Sequence, residues 1–243
     1  MQSSLIILPT YNEIENISLM IDAIFSISKE VHILVVDDSS PDGTAKLVVE
    51  LKKKYPKKLF LLQRVGKRGL GTAYVEGFKW GLECPYKYFF QMDSDFSHNP
   101  HDLLKLYNKM TSTDYDLCIG SRYVSGINVV NWPITRILLS YFASFYVRMI
   151  TGMSIQDPTA GFKLYSRRVL ESIPLNEVEF VGYAFQIEMK FRTWKKGFKV
   201  LEIPIIFKDR VRGVSKLNSS IIKEAIFGVL KMKVRSMFSN SYK

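Results

Sequence analysis

Short apolar runs recur through the first half of the chain, each followed by a polar break and a segment with apolar residues at helical spacing. Leu5-Ile6-Ile7-Leu8 is the first such run. Pro9-Thr10-Tyr11-Asn12 closes it, and Ile14, Ile17, Ile21 and Ile24 then share one helical face. Ile33-Leu34-Val35-Val36 predicts a second strand ending in Asp37-Asp38, a turn follows over residues 39–44, and Leu47, Val48 and Leu51 mark a second helix. Leu59-Phe60-Leu61-Leu62 predicts a third strand, and Gly69-Leu70-Gly71 opens a helix running to about Leu82. The aromatic run from Tyr88 ends a fourth strand at Asp93. Pro100 suits a helix start, with Leu103, Leu104, Tyr107 and Met110 on its face, and Leu117-Cys118-Ile119-Gly120 is a fifth strand. Strands of near-continuous apolar character alternating with helices predict an α/β fold, with a mostly parallel sheet covered by helices on both faces.

The second half changes character. Trp132-Pro133 opens a long segment rich in Leu, Tyr, Phe and Met that reaches about Thr151. Residues 156–162 read as a turn leading into a short strand, 183–194 as a helix carrying Gln186 and Glu188, and 200–207 as a further strand. A basic loop with Gly213 at its centre spans 209–216. Residues 221–238 place Ile222, Ala225, Ile226, Val229 and Met237 broadly on one side, with Lys223, Lys231, Lys233 and Arg235 interspersed. That pattern fits a helix lying in a membrane interface, and equally a helix packed on its own domain.

Polar residues gather where the predicted strands end, the rim at which open α/β sheets bind ligands. There are three such clusters: residues 10–13, Asp37-Asp38, and Asp93 with Asp95. In an extended chain, positions i and i+2 share a face, so Asp93 and Asp95 aim at one spot. Two adjacent carboxylates suit Mg²⁺ or Mn²⁺, whose remaining ligands commonly come from substrate phosphates. An Asp-rich turn is the plainer reading of the same residues. Asp37 and Asp38 read either as a capped turn or as carboxylates for a nucleotide ribose or base. Residues 66–71 resemble a phosphate loop but lack the Lys-Ser/Thr ending; the glycines serve tight turning, and Lys67 and Arg68 are placed to reach a phosphate. Arg122 and Arg136 bracket a loop and suit a phosphate through their planar forks, or else form surface salt bridges.

Composition sharpens this picture in one respect. The chain has 243 residues, 47% hydrophobic and 23% charged, which is ample for a globular core; its formal charge of +11 asks for an anionic partner. Cys84 and Cys118 supply neither a disulfide framework nor zinc spacing, as expected in a reducing compartment. No leader pattern opens the chain, and the longest apolar stretch, 137–147 between Arg136 and Arg148, is far short of the roughly 20 residues needed to cross a bilayer.

Taken in order, Pro9-Thr10-Tyr11-Asn12-Glu13, Asp37 to Thr44, Gly69-Leu70-Gly71, Met92 to His98, Gly120 to Tyr123, Asp157 to Lys163, Gly182 to Met189, and Asp209-Arg210 with Gly213-Val214-Ser215-Lys216 are similar to the motifs of the dolichol- or polyprenol-phosphate mannose synthases. These are inverting glycosyltransferases of family 2, and the similarity runs from about Leu5 to about Lys216. It implies a nucleotide-diphospho-sugar transferase (GT-A) fold over residues 1–216, followed by a C-terminal amphipathic segment, 217–243. It implies transfer of mannose from GDP-mannose to a polyprenyl phosphate with inversion. On this resemblance Pro9, Tyr11, Glu13, Asp37, Asp38 and Gly71 hold the nucleotide sugar. Asp93 and Asp95 hold Mg²⁺ or Mn²⁺, with Ser97 standing where some relatives use glutamine. Arg122, Arg136 and Ser140 hold the lipid phosphate, and a mobile loop with Arg210, Arg212, Ser215 and Lys216 closes the site. Many relatives carry transmembrane segments that this chain lacks, so the amphipathic segments become candidates for contact with an anionic membrane surface, and a peripheral cytoplasmic protein is expected. Neither nucleic acid nor an obligate protein partner is implied. The rival readings are the same acceptor with UDP-glucose as donor, a nucleotide-sugar-binding module without catalysis, and a basic nucleic-acid-binding protein. The last leaves the carboxylates at the strand ends unexplained.

Overall fold

The structure is a computed structural model and describes residues 1–210, 212, 219–239 and 242. Five strands fall on the predicted apolar runs: β1 (Ser4–Thr10), β2 (His32–Asp37), β3 (Leu59–Gln63), β4 (Tyr88–Gln91) and β5 (Leu117–Ser121). Strand β4 stops at Gln91 and not at Asp93 as expected, so Asp93 and Asp95 lie on the loop beyond it and not in extended strand. Helices α1 (Ile14–Ile27), α2 (Thr44–Lys54), α3 (Leu70–Leu82) and α4 (Asp102–Ser112) follow the first four. The remaining elements are β6 (Val129–Val130), α5 (Ile134–Thr151), β7 (Lys163–Ser166), α6 (Arg167–Ser172), α7 (Tyr183–Lys195), β8 (Val200–Pro204), β9 (Phe207–Lys208) and α8 (Ser219–Phe238).

The main sheet has the order β3-β2-β1-β4-β7-β5-β8. Its chain order reverses between β1 and β4, which opens a crevice at their carboxyl ends. The sheet is mostly parallel, but β7 runs antiparallel to both neighbours. Its direction has a consequence for the site. A strand that enters from the carboxyl rim delivers the preceding turn, residues 156–162, to the rim where β4 and β5 finish.

Alternate residues of the strands feed two cores. Leu5 and Ile7 of β1, Leu34 and Val36 of β2 and Phe89 of β4 pack with α3 and α7 on one face. Ile6, Leu8, Ile33, Val35 and Phe90 pack with α1, α2 and α4 on the other. Each large aliphatic side chain so buried is worth about 1.5–3 kcal/mol. Two sequence expectations need correction. Residues 200–207 are not one strand: β8 stays in the main sheet, and after Ile205-Ile206 the chain leaves it to pair with β6 in a separate two-stranded sheet. Ile14 and Leu104, assigned to apolar helix faces, are exposed.

Of the residues expected to share one side of the last helix, Val229 is buried while Ile226 and Met237 are exposed, and the side chains of Ile222 and Ala225 lie outside those described. Val229, Met232 and Ser236 of α8 are buried against the domain, whereas Phe227, Leu230, Val234, Met237 and Phe238 face outward. Its basic residues hold the helix down: Lys231 and Arg235 pair with Glu179, and Lys233 Nζ donates to the Thr151 carbonyl. On α5, which is tied to α8 by the Tyr146 hydroxyl on the Ile226 carbonyl, Leu138, Leu139, Phe142, Phe145 and Met149 are exposed. Among the described residues no helix is long and apolar enough to cross a membrane.

Candidate active site

The first two strand ends are sewn together by side chains. Thr10 pairs in register with Asp37, and its hydroxyl donates to Asp37 Oδ2 at 2.7 Å. Ser40 completes the Asp37 shell with its amide and hydroxyl, at 2.9 and 2.6 Å. Asp42, Ser40 and Thr44 in turn accept the amides of Ile14, Asn12 and Glu13. Pro9, Tyr11 and Glu13 thus sit on a loop whose shape is fixed by the next turn.

Asp38 behaves differently from its neighbour. It forms a buried ion pair with Arg64, whose Nε lies 2.6 Å from Oδ1, while Oδ2 accepts the amides of Arg68 and Gly69 at 3.0 and 3.1 Å. Arg64 continues to Thr72 Oγ1 and the Gly69 carbonyl. The glycine-rich loop is therefore shaped by Asp38. Lys67 leaves it to lie over the Tyr11 ring, 4.5 Å from the centroid, and Arg68 pairs with Glu76. Gly71 is where backbone meets backbone: its amide donates to the Val181 carbonyl at 2.7 Å, and a Cβ there would lie 2.7 Å from the Phe180 carbonyl oxygen.

Asp93 and Asp95 follow β4 at the crevice. Asp93 Oδ1 accepts the Tyr74 hydroxyl at 3.1 Å, and Asp95 Oδ1 accepts the Ser97 amide at 3.1 Å. Burial raises the Asp93 pKa, with the Asp95 charge acting in the same direction. Burial also acts to raise that of Asp95, but Ser97 and the Arg210 guanidinium outweigh it and hold the carboxyl below its usual value. The Ser97 hydroxyl is buried without a hydrogen-bond partner. Two carboxylates and an unsatisfied hydroxyl form an all-oxygen donor set, which fits Mg²⁺ or Mn²⁺. Among the described residues no group of three or more His, Cys, Asp or Glu side chains is placed to hold a metal ion, so substrate oxygens would have to complete the coordination. His98 is stacked on Phe162, and its Nδ1 lies 3.4 Å from the Asp93 amide; burial lowers its pKa, against the pull of Asp93 and Asp95.

Arg122 is gripped more firmly than a free phosphate clamp would be. Its amide and Nε reach Asp157 Oδ2 at 2.9 and 2.8 Å, and Nη2 reaches Asp157 Oδ1 at 2.7 Å and Thr159 Oγ1 at 2.6 Å. Arg136 is half-buried and its guanidinium lies 4.0 Å from the Trp132 ring centroid; that of Arg122 lies 5.6 Å from the same ring. The two arginines thus meet around Trp132. Ser140, one helical turn beyond Arg136, is half-buried. Asp157 grips Arg122, and a Cβ on Gly161 would lie 3.5 Å from Asp93 Oδ2. Those residues are four apart, so at most about 14 Å of chain separates the clamp from the carboxylates.

The segment after β9 joins the two halves. Arg136 Nη1 bonds Asp209 Oδ2 at 2.9 Å, and Arg210 Nη2 lies 2.9 Å from Asp95 Oδ2. Arg212 is exposed, and Ser215 and Lys216 lie outside the described residues. Sequence reasoning missed Arg64, Tyr74, Trp132 and the buried Lys163 and Lys190. Each is a single residue with partners far away in sequence, and only Lys163 fell inside a recognised motif.

A parallel sheet, a crevice at its order reversal and paired carboxylates at the rim define a nucleotide-sugar transferase type of site. The model of Glycosyl transferase family 2 matches residues 5–173, and the chain belongs to that family. It is 46% identical over 234 residues to polyprenol monophosphomannose synthase of Mycolicibacterium smegmatis, covering 96% of this chain and 88% of that protein. It is 41% identical over 227 residues to undecaprenyl-phosphate mannosyltransferase of Micrococcus luteus, covering 93% and 92%. In three dimensions it is similar to glucosyl-3-phosphoglycerate synthase of Mycobacterium tuberculosis in complex with Mn²⁺, uridine diphosphate and glucosyl-3-phosphoglycerate, with a TM-score of 0.71 at 16% identity over 96% of this chain and 80% of that one. The expected fold, with its mostly parallel sheet between helices, is borne out.

Proposed function

We propose that the chain transfers a mannosyl group from GDP-mannose to a polyprenyl phosphate, with inversion, at the rim between β1, β4 and β5. The observation that carries this reading is the joining of an oxygen donor set, Asp93, Asp95 and Ser97, to an arginine pair, Arg122 and Arg136, by the turn 157–161 and by Asp209-Arg210. Two anions are thereby received side by side. The names of the two relatives above support mannosyl transfer to a lipid phosphate.

On the donor side, Pro9, Tyr11 and Glu13 line the base and ribose, on a loop braced by Asp37. Asp38, through Arg64 and the amides of 68 and 69, shapes the glycine loop ending at Gly71. Asp93, Asp95 and Ser97 hold Mg²⁺ or Mn²⁺. The bound ion supplies Lewis-acid neutralisation of charge on the departing diphosphate. On the acceptor side, Arg136 and the remaining Nη1 of Arg122 orient the lipid phosphate, with Ser140 beside them. A phosphate monoester with a second pKa near 6 is mostly a dianion at neutral pH, so no general base is required. Its oxygen forms the new bond to the anomeric carbon as the bond to the diphosphate breaks, and the electron pair leaves with GDP.

The apolar faces of α5 and α8 are proposed to rest on an anionic membrane surface, which would bring the acceptor phosphate to the clamp at the start of α5. The test is incubation with labelled GDP-mannose, labelled UDP-glucose and a short polyprenyl phosphate, followed by organic extraction. Label from GDP-mannose should enter the organic phase. Transfer from UDP-glucose alone would assign another donor, and nucleotide binding without lipid product would leave a binding module.

A further inference from the structure

Helix α7 carries Gln186, Glu188, Lys190 and Arg192, all buried. Burying charged and polar groups in a helix that apolar residues would pack at less cost calls for a purpose beyond filling space. Residues four apart share a helix face, so Gln186 and Lys190 lie on one side, Glu188 and Arg192 on another.

The first side holds the acceptor turn. Lys190 Nζ donates to the carbonyls of Pro158 and Ala160 at 2.9 and 2.6 Å, with a longer contact of 3.4 Å to the Gln186 carbonyl. Those first two carbonyls flank Thr159, which takes Arg122, and the same turn supplies Asp157. Burial lowers the Lys190 pKa to about 7. The two shorter contacts need only two hydrogens, which both the amine and the ammonium possess.

The second side holds the donor loop. Glu188 Oε2 accepts the amides of Glu179 and Phe180 at 3.0 and 3.1 Å, and Oε1 accepts Arg192 Nε and Nη2 at 2.9 and 2.8 Å. Arg192 Nη2 also donates to the Glu177 carbonyl at 2.7 Å. The next residue, Val181, accepts the Gly71 amide, and its side chain fills the space above Gly69, where a Cβ would lie 2.3 Å from Cγ1. Gly69 in turn donates to Asp38.

We propose that Glu188 and Lys190 are positioning residues with divided duties, Glu188 setting the donor loop and Lys190 the acceptor turn. The division rests on the donor and acceptor sites assigned above. It is tested on the full chain with Glu188→Gln and Lys190→Met, measuring the Kd for GDP with Mg²⁺ by calorimetry and the KM for a short polyprenyl phosphate. Loss of buried hydrogen bonds to a charged group predicts changes of roughly tenfold or more. Lys190→Met should raise the acceptor KM and leave the GDP Kd within about twofold, and Glu188→Gln should do the reverse. Where either variant fails to fold, Lys190→Gln and Glu188→Asp are read the same way, and failure of all four makes α7 a folding element only. Variants that move both constants together overturn the division while leaving the assigned sites standing. A wild-type chain that binds no GDP and makes no lipid product sinks the assigned sites and this proposal with them.

Discussion

Arg210 and Asp95 form an ion pair at the crevice, with Nη2 2.9 Å from Oδ2. The preceding residue, Asp209, pairs with Arg136 at 2.9 Å. One dipeptide therefore engages both proposed anion sites. A divalent ion and Arg210 would compete for the same carboxylate. Arg210→Ala should tighten Mn²⁺ binding in the absence of donor by several-fold, on the order of 1 kcal/mol for a partly exposed pair. Electron paramagnetic resonance titration of free Mn²⁺ measures this directly; unchanged or weaker binding would argue against competition.

The two clamp arginines should fail in different ways. Arg122→Ala removes one partner of a buried, bidentate pair and leaves Asp157 uncompensated, a loss of about 3–5 kcal/mol. Arg136→Ala breaks a partly exposed pair and should cost at most about 1 kcal/mol. Both should impair acceptor use. Urea denaturation beside acceptor kinetics separates the effects, and a fully stable Arg122→Ala protein would remove the structural role described for the pair.

Asp157 also fixes an acid limit. Burial acts to raise its pKa, but the Arg122 guanidinium prevails and holds it below its ordinary 3.8. A carboxyl with a depressed folded-state pKa stabilises the fold above the unfolded value and loses that contribution as pH falls through the folded one. Wild type should therefore lose stability over the range below about pH 4 more steeply than Asp157→Asn, which starts lower and has nothing to titrate there. Parallel acid limbs in chemical denaturation from pH 6 to 3 would contradict the assignment.

Gly71→Ala places a methyl group 2.7 Å from the Phe180 carbonyl oxygen and 2.9 Å from Phe185 Cβ. Backbone cannot yield as a flexible side chain does, so a loss of about 1–3 kcal/mol is expected. GDP binding should weaken with it, because the same contact seats the donor loop. Thermal melts with and without GDP provide the check.

Phe142 and Phe227 are 62% and 71% exposed, so replacing them with serine should barely change stability. If α5 and α8 rest on a membrane, the double variant should sediment less with vesicles containing anionic lipid. Equal sedimentation would move the contact elsewhere.

The strand ends were legible from sequence because each apolar run stops at a polar residue, and a buried parallel strand can stop only where the sheet does. The partners of those residues were not legible. Asp37 and Asp38 look like twins in sequence, yet Asp37 is enclosed by Thr10 and Ser40 while Asp38 reaches Arg64, 26 positions away. Arg122 stood out as an arginine suited to phosphate, and its engagement by Asp157 could not be foreseen. Nothing in Lys163-Leu164-Tyr165-Ser166 reveals that this strand runs against its neighbours.

Local pattern was enough to set most of the elements and the rim on which the chemistry gathers, because periodicity and turn chemistry act over a few positions. Folding decided which of these charges neutralise one another. Ion pairs such as Arg64–Asp38, Arg122–Asp157 and Arg210–Asp95 join segments 26 to 115 positions apart, and only sheet order and the reversed β7 bring those segments within a few ångströms.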